Sequence, residues 1–287
     1  MSQREDIKKT YKLYIGGKFP RTESGRYIKW VDANNKGAVN ICRGSRKDFR
    51  NAMVTARDAF SGWCSRTAYN RSQILYRIGE ILEGRRSQFA NELILQGSSK
   101  KEAGNEINQS IDRLIYYAGW ADKYQQIFSR VNPVASSYFN FSYPEPTGVV
   151  SALAPNNSSL IGLVSIVAPI IAGGNTVVVL ASEEKPLCSI TFAEVLHTSD
   201  VPGGVVNILT GYRSELLDHF SSHMDVNAIV YCGNESEEIK LVQENAALNV
   251  KRPIVYTDEN WLSKNVQDPY RILNTLETKT TWHPVSI

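Results

Sequence analysis

The second half of the chain alternates short apolar runs with helical segments, and this alternation constrains the fold more than any other feature of the sequence. Four runs have the length and composition of buried strands: Val149–Leu153, Thr176–Leu180, 205–209 and 228–231. The segments between and after these runs are predicted to be helices, at 160–171, 189–197, 216–220 and 235–247. Strands joined through helices by short connections form parallel sheets covered on both faces. The sequence therefore predicts an α/β fold with a parallel sheet between two layers of helices.

The first half contains strands and helices that lie outside this predicted sheet. Residues 11–15 alternate and meet Gly16-Gly17, which predicts a strand and a tight turn, and a second strand follows at 27–31. Apolar residues at helical spacing predict amphipathic helices over 48–63, 70–83 and 110–124. Their aromatic residues Trp63, Tyr117 and Trp120 are expected in the core.

Two further strands are predicted away from the sheet. Residues 138–143, from Tyr138 to Tyr143, alternate at period two, and Pro144 is expected to end that strand. The segment from Leu276 to Val285 also has good strand propensity.

Composition and charge exclude several functional classes. The net charge of the 287 residues is only +3 and is spread along the chain, which gives no basis for nucleic-acid binding. The longest apolar run, 160–171, is too short to span a bilayer, and the polar start lacks a signal-peptide pattern. The four cysteines show no paired spacing. These features predict a cytoplasmic protein without a membrane or nucleic-acid partner.

Four longer motifs identify a resemblance. They are YYAGWADKY at 116–124, PEPTGV at 144–149, AGGNTVVV at 172–179 and PGGVVNI at 202–208. In this order they resemble the aldehyde dehydrogenase superfamily, and the similarity covers residues 11–255 and resumes at the C-terminal strand. The resemblance implies a Rossmann-like NAD-binding domain over residues 1–270 and a small β oligomerisation arm. The arm comprises a strand within 137–146 and a C-terminal strand within 271–287.

The resemblance also implies that the family's catalytic groups are missing. The family's nucleophilic cysteine lies in a domain that has no counterpart here. Cys232 follows a strand but has no neighbouring His or Lys to lower its pKa, so a neutral thiol is expected. Tyr256, after Lys251-Arg252, stands where the family has its glutamate base. Asn157 matches the family's oxyanion donor, but a turn-capping role is the favoured interpretation, because without a nucleophile there is no oxyanion to stabilise. No catalytic residue is therefore predicted.

The implied cofactor site is eroded in the same way. Glu183 matches the family's ribose-binding glutamate, but Leu180 replaces its lysine partner. Gly211 and Gly233 remain in the loops that face the cofactor, whereas Arg213 and Leu217 replace glycines. Both side chains add bulk where phosphates approach the backbone, although Arg213 has the chemistry to contact a phosphate. The sequence thus predicts no cofactor, or weak binding of NAD or NADP through vestigial positions.

A metal site is also not expected. His219 and His223 are spaced to share a helix face, but no glutamate lies between them and no third ligand is near in sequence. Two surface histidines explain the pattern more simply.

Two functions follow from the resemblance. The first is a non-catalytic subunit that associates with itself or with a full-length aldehyde dehydrogenase through the strands at 138–143 and 276–285. The alternative is an NAD(P)-binding oxidoreductase subunit whose active site is completed by a partner. A decaying gene product is less attractive because the helices keep their amphipathic periodicity.

Overall fold

The computed structural model describes residues 9–32 and 37–285. In chain order the strands are β1 (Tyr27–Val31), β2 (Ala38–Cys42), β3 (Arg130–Asn132), β4 (Tyr138–Pro146), β5 (Val149–Leu153), β6 (Thr176–Leu180), β7 (Val206–Leu209), β8 (Ala228–Cys232), β9 (Arg252–Tyr256) and β10 (Leu276–Pro284). The α-helices are α1 (Arg46–Cys64), α2 (Ala68–Gly84), α3 (Arg86–Leu95), α4 (Lys100–Trp120), α5 (Tyr124–Phe128), α6 (Ile161–Ala172), α7 (Leu187–His197), α8 (Arg213–Ser222), α9 (Ser236–Ala247) and α10 (Tyr270–Leu273). A short 3₁₀ turn covers Lys264–Val266.

The predicted parallel sheet is present and has five strands in the order β7-β6-β5-β8-β9. Alternate residues of a strand face opposite layers, so Val150 belongs to a core cluster that includes residues of α2, α4, α6 and α7, whereas Val149 belongs to a second cluster that includes residues of α1, α8 and α9. The predicted strands and helices of this half agree with the observed bounds to within three residues. The α/β fold with helices on both faces is therefore confirmed. In the described part of the chain, no helix combines the length and apolarity needed to cross a bilayer.

The N-terminal prediction is partly correct. Gly16 and Gly17 have φ values of 60° and 76°, and Ile15 and Lys18 exchange both backbone hydrogen bonds, so the tight turn is confirmed. The predicted strand over 11–15 forms only isolated bridges, to Ile41 and Ile208 among others. β1 has the predicted bounds and pairs with β2, which the sequence did not indicate.

The helices of the first half are longer than predicted. α4 begins at Lys100 rather than at residue 110, because Ser99 and Glu102 form a reciprocal capping box at its N-terminus. It ends at Trp120, and a separate short helix, α5, follows. Trp63 and Tyr117 are fully buried and Trp120 packs against the core, as expected.

The arm is a three-stranded antiparallel sheet in the order β10-β4-β3. The prediction that Pro144 ends the first arm strand is wrong, since β4 continues to Pro146. Pro144 and Pro146 pair with Thr278 and Leu276, at positions whose backbone N–H would point away from β10. A proline there removes no hydrogen bond from the β4–β10 ladder, so the strand continues through both prolines.

Candidate functional site

A cleft lies at the carboxyl ends of β5, β8 and β9. The chain proceeds from β5 to β6 and β7 on one side and then builds β8 and β9 on the other, so the strand order reverses between β5 and β8. Open α/β sheets bind ligands at such a reversal. The cavity has a volume of about 470 Å³, and Asn157, Gly233 and Tyr256 line it. Glu183 and Gly211, which the sequence also singled out, are outside its lining.

Glu183 is engaged inside the protein. Its Oε2 accepts a hydrogen bond of 2.9 Å from the backbone N–H of Arg213, the first residue of α8. The side chain of Asn156 accepts in turn from the backbone N–H of Glu183, at 3.1 Å. A carboxylate at the start of a helix satisfies free N–H groups and interacts favourably with the helix dipole. Glu183 therefore uses one of its two carboxylate oxygens to satisfy a backbone N–H at the start of α8.

The Arg213 guanidinium bridges the loops that follow β5 and β8. It is 6% exposed, and Nη2 donates to the carbonyl of Cys232 at 2.8 Å and also to the carbonyl of Ala154. Nη1 lies 3.6 Å from Oε2 of Glu238, and the guanidinium carbon lies 5.5 Å from the centre of the Tyr231 ring. The phosphate contact considered from the sequence would have to replace these internal partners.

Gly211 and Gly233, the two glycines expected in the loops that face the cofactor, allow close packing within the protein. A Cβ on Gly211 would lie 3.1 Å from Leu216 and 3.3 Å from the backbone nitrogen of Gly44, so this glycine lets two loops pack closely. A Cβ on Gly233 would lie 2.7 Å from the Tyr231 hydroxyl and 3.1 Å from Nη1 of Arg213. Gly233 thus makes room for the Tyr231 hydroxyl and the Arg213 guanidinium.

The charge of the cavity is unfavourable for a dinucleotide. Arg213 is accompanied in the lining by five carboxylates: Glu184, Glu235, Glu238, Asp258 and Glu259. Leu180 and Leu217, at the positions of a lysine and a glycine in the resemblance, are almost completely buried and offer no donor. A pyrophosphate adds negative charge, which like charges nearby repel. As folded, these residues do not fit a dinucleotide. Single-sequence reasoning missed the acidic lining, although the acidic residues after β8 and β9 were a usable signal.

Tyr256 is a neutral phenol. Its hydroxyl accepts a hydrogen bond of 3.0 Å from the side-chain amide of Asn274, and the guanidinium carbon of Arg271 lies 4.1 Å from its ring centre. Burial raises the pKa of Tyr256 above its ordinary value of 10.0. A phenol that stays protonated at neutral pH cannot accept a proton from a water molecule as a glutamate does.

The three buried cysteines do not provide an activated thiolate, because burial raises the pKa of each thiol. All four are free, and Cys42, Cys188 and Cys232 are buried. Burial raises the pKa of the Cys232 thiol to about 12, in agreement with the neutral thiol expected from the sequence. The remaining cysteine, Cys64, lies at the end of α1, and its thiol donates to the carbonyl of Ser61.

Asn157 is exposed at the edge of the cavity, where its carbonyl accepts from Nζ of Lys185 at 3.1 Å. The neighbouring Asn156 uses its side-chain oxygen to join this loop to the one after β6, where it accepts from the backbone N–H of Glu183. The two histidines do not share a helix, because α8 ends at Ser222 and His223 lies beyond it in an extended conformation. Within residues 9–32 and 37–285, no group of three potential ligands is placed to hold a metal ion.

The segment that follows β9 closes one side of the cleft, and sequence reasoning missed it. Trp261 lines the cavity and is 5% exposed. The buried guanidinium of Arg113 in α4 donates to the carbonyls of Trp261 and Ser263 at 3.0 and 3.1 Å. The Tyr117 hydroxyl donates to the carbonyl of Asp268 at 3.2 Å. These bonds tie the segment to a helix that lies about 150 residues earlier in the chain.

Comparison with known proteins places the chain in a family. The sequence profile of the aldehyde dehydrogenase family matches residues 21–257. Aldehyde dehydrogenase 1A1 of Homo sapiens is 31% identical over 255 residues, which cover 86% of this chain and 50% of that protein. D-glyceraldehyde dehydrogenase (NADP(+)) of Thermoplasma acidophilum is 32% identical over 239 residues, with coverages of 82% and 48%.

A solved structure shows the same relationship. PnpE in complex with nicotinamide adenine dinucleotide superposes with a TM-score of 0.82 at 26% identity, and the structure of PnpE from Pseudomonas sp. WBC-3 superposes with a TM-score of 0.81. The superposition covers 86% of this chain and 50% of PnpE. The chain spans about half the length of the curated relatives that it matches. This chain belongs to the aldehyde dehydrogenase family.

Proposed function

We propose that this chain is a non-catalytic aldehyde dehydrogenase-like subunit, which associates with itself or with a full-length aldehyde dehydrogenase through β4 and β10. The observation that carries the proposal is that two side chains at or beside the expected cofactor positions bond within the protein. Glu183 holds the N-terminus of α8, and the Arg213 guanidinium bridges the carbonyls of Ala154 and Cys232.

The chemistry of the cleft supports the same proposal. Oxidation of an aldehyde through a thioester requires a thiolate and a base for the deacylating water. Tyr256 and Cys232 both have raised pKa values, so neither group is ionised at neutral pH. Cytoplasmic location is part of the proposal and is supported by four cysteines that form no disulfide.

A second function has a specific observation in its favour. The chain keeps Glu183 and the strand order that places a cavity between β5 and β8, and PnpE, with the same fold, binds nicotinamide adenine dinucleotide. An NAD(P)-binding oxidoreductase subunit completed by a partner is therefore the alternative. It requires that Arg213 and Glu183 release their internal partners when the dinucleotide enters.

The catalytic part of the proposal is tested by a turnover assay. Purified protein is incubated with a panel of aldehydes and with NAD or NADP, and reduced cofactor is followed by its absorbance. We expect no rate above that of a protein-free control. A rate that disappears when Cys232 or another of the four cysteines is changed to Ser would overturn the proposal.

The association part is tested by light scattering coupled to size-exclusion chromatography, at protein concentrations near those in the cell. We expect a dimer of this chain, or a complex with a full-length family member when the two are co-expressed. A monomer that remains alone in both experiments contradicts the subunit proposal.

A further inference from the structure

The hydrogen-bond directions of β10 are fixed by its pairing with β4. The ladder continues beyond the strand, where the N–H of Val285 donates to the carbonyl of Ser137 at 3.0 Å. Residues 277, 279, 281 and 283 share that direction, because backbone groups alternate along a strand. Pro144 and Pro146, which lack an N–H, lie opposite the even-numbered residues Thr278 and Leu276. The odd-numbered residues of β10 therefore bond to β4, and the even-numbered residues direct their backbone groups outward.

This outer edge is open along most of its length. In the part of the chain that the structure describes, no strand pairs with it. Thr278, Thr280 and Trp282 are exposed there, and the Trp282 side chain is 57% exposed. At one end Arg252 donates to the carbonyl of Leu276, and at the other end Pro284 has no N–H to offer. The free outward donors and acceptors thus concentrate between residues 278 and 282.

Building on the subunit role proposed above, we infer that β10 pairs in antiparallel register with β10 of a second copy, about a twofold axis at Thr280. Thr280 then exchanges two hydrogen bonds with its own counterpart, and Thr278 does so with Trp282 of the second copy. The twofold axis repeats this exchange between Trp282 and Thr278 of the second copy, so the interface contains about six backbone hydrogen bonds. Pro284 falls opposite Leu276, whose carbonyl is already bonded to Arg252, so the missing N–H leaves no acceptor unpaired.

The charges of the strand agree with this register. Glu277 lies opposite His283 of the second copy, and Lys279 lies opposite Thr281, so no like charges face each other directly. An axis at Lys279 would place two lysines opposite each other and would use residues already bonded to β4. An axis at Thr278 would overlap only residues 276–280. The register centred on Thr280 uses the whole strand, and it joins two three-stranded sheets into one of six strands.

Disulfide trapping tests the register. In a Cys64→Ser background, Thr280→Cys places two thiols across a hydrogen-bonded pair, with Cα atoms about 5.5 Å apart, which a disulfide can bridge. The matched variant Thr281→Cys faces residue 279 of the second copy, so its two Cα atoms lie about 8 Å apart, beyond disulfide reach. Under mild oxidation we expect a covalent dimer from Thr280→Cys and little from Thr281→Cys.

A second variant removes one outward donor without touching the β4 ladder. Thr280→Pro deletes an N–H that does not bond to β4, as prolines at positions 144 and 146 already do on the other strand. We expect a folded monomer, with an unchanged far-UV circular dichroism spectrum and at least a tenfold weaker dimer dissociation constant. A dimer that forms equally well with Thr280→Pro, or equal trapping by both cysteine variants, overturns the β10 pairing. If the protein is still dimeric in that case, the subunit proposal stands and only the β10 pairing is wrong. Aldehyde turnover by the purified protein would instead contradict the non-catalytic role without bearing on the β10 register.

Discussion

At the residue scale, two buried cations are held mainly by backbone carbonyl oxygens. Arg213 donates to Ala154 and Cys232, and Nζ of Lys251 donates to the carbonyls of Ser221 and His223 at 2.6 and 2.8 Å. A buried carbonyl group that loses such a donor is left without a hydrogen bond, because water does not reach it to replace the donor. These two side chains therefore contribute to stability through hydrogen bonds that a surface ion pair does not provide.

Substitution of Arg213 is expected to destabilise the fold. Arg213→Met leaves the carbonyls of Ala154 and Cys232 without their donor, and a loss of about 1–3 kcal/mol in the free energy of unfolding follows. Urea denaturation measures the change. Arg77→Met is the control, because Arg77 forms an exposed ion pair with Glu80 and its loss changes stability little. Equal effects of the two substitutions would show that Arg213 is not a structural bridge.

Lys251 gives a pH-dependent prediction. Burial lowers its pKa from the ordinary 10.5 to about 8, so between these values the unfolded chain binds more protons than the folded one. Stability from this group therefore rises with pH across that window. The unfolding free energy of the wild type minus that of Lys251→Met should therefore increase from pH 8 to pH 10.5. A difference that shrinks over this range contradicts the lowered pKa.

At the scale of elements, buried strands were predicted well and helix starts less well. β5 and β6 have the predicted bounds because both faces of each strand are covered and every residue is apolar or small. α3 was missed because its apolar residues follow no clear stripe, and the start of α4 was missed although Ser99 and Glu102 carry a capping signature. Long-range pairing explains why β4 passes through Pro144, which local propensity opposes.

The cap of α4 is the testable element-scale feature. Ser99→Ala removes the side-chain acceptor for the backbone N–H of Glu102 and should lower the free energy of unfolding by about 1 kcal/mol. Ser98→Ala, one residue earlier and outside the capping box, serves as the control. Thermal and urea denaturation report the difference. If the two alanine variants are equally stable, the capping box does not hold the start of α4.

At the scale of the whole molecule, the site is built by contacts between distant parts of the sequence. The neutral state of Cys232 could be predicted from local sequence, whereas the comparison of Tyr256 with a glutamate base came from the resemblance to the family. The internal roles of Glu183 and Arg213 could not be predicted, because they depend on how three loops meet at the carboxyl ends of the strands. The closure of the cleft by the segment around Trp261 also depends on Arg113, far away in sequence.

The most direct test of the proposed role, in which the cleft does not accept a dinucleotide, is a titration of the purified protein with NAD and NADP while melting temperature and tryptophan fluorescence are recorded. A cofactor that binds only the folded state raises the melting temperature as its concentration exceeds the dissociation constant. The structure predicts no saturable shift with either cofactor up to millimolar concentrations. A saturable shift at sub-millimolar NAD or NADP would contradict the claim and favour the cofactor-binding subunit.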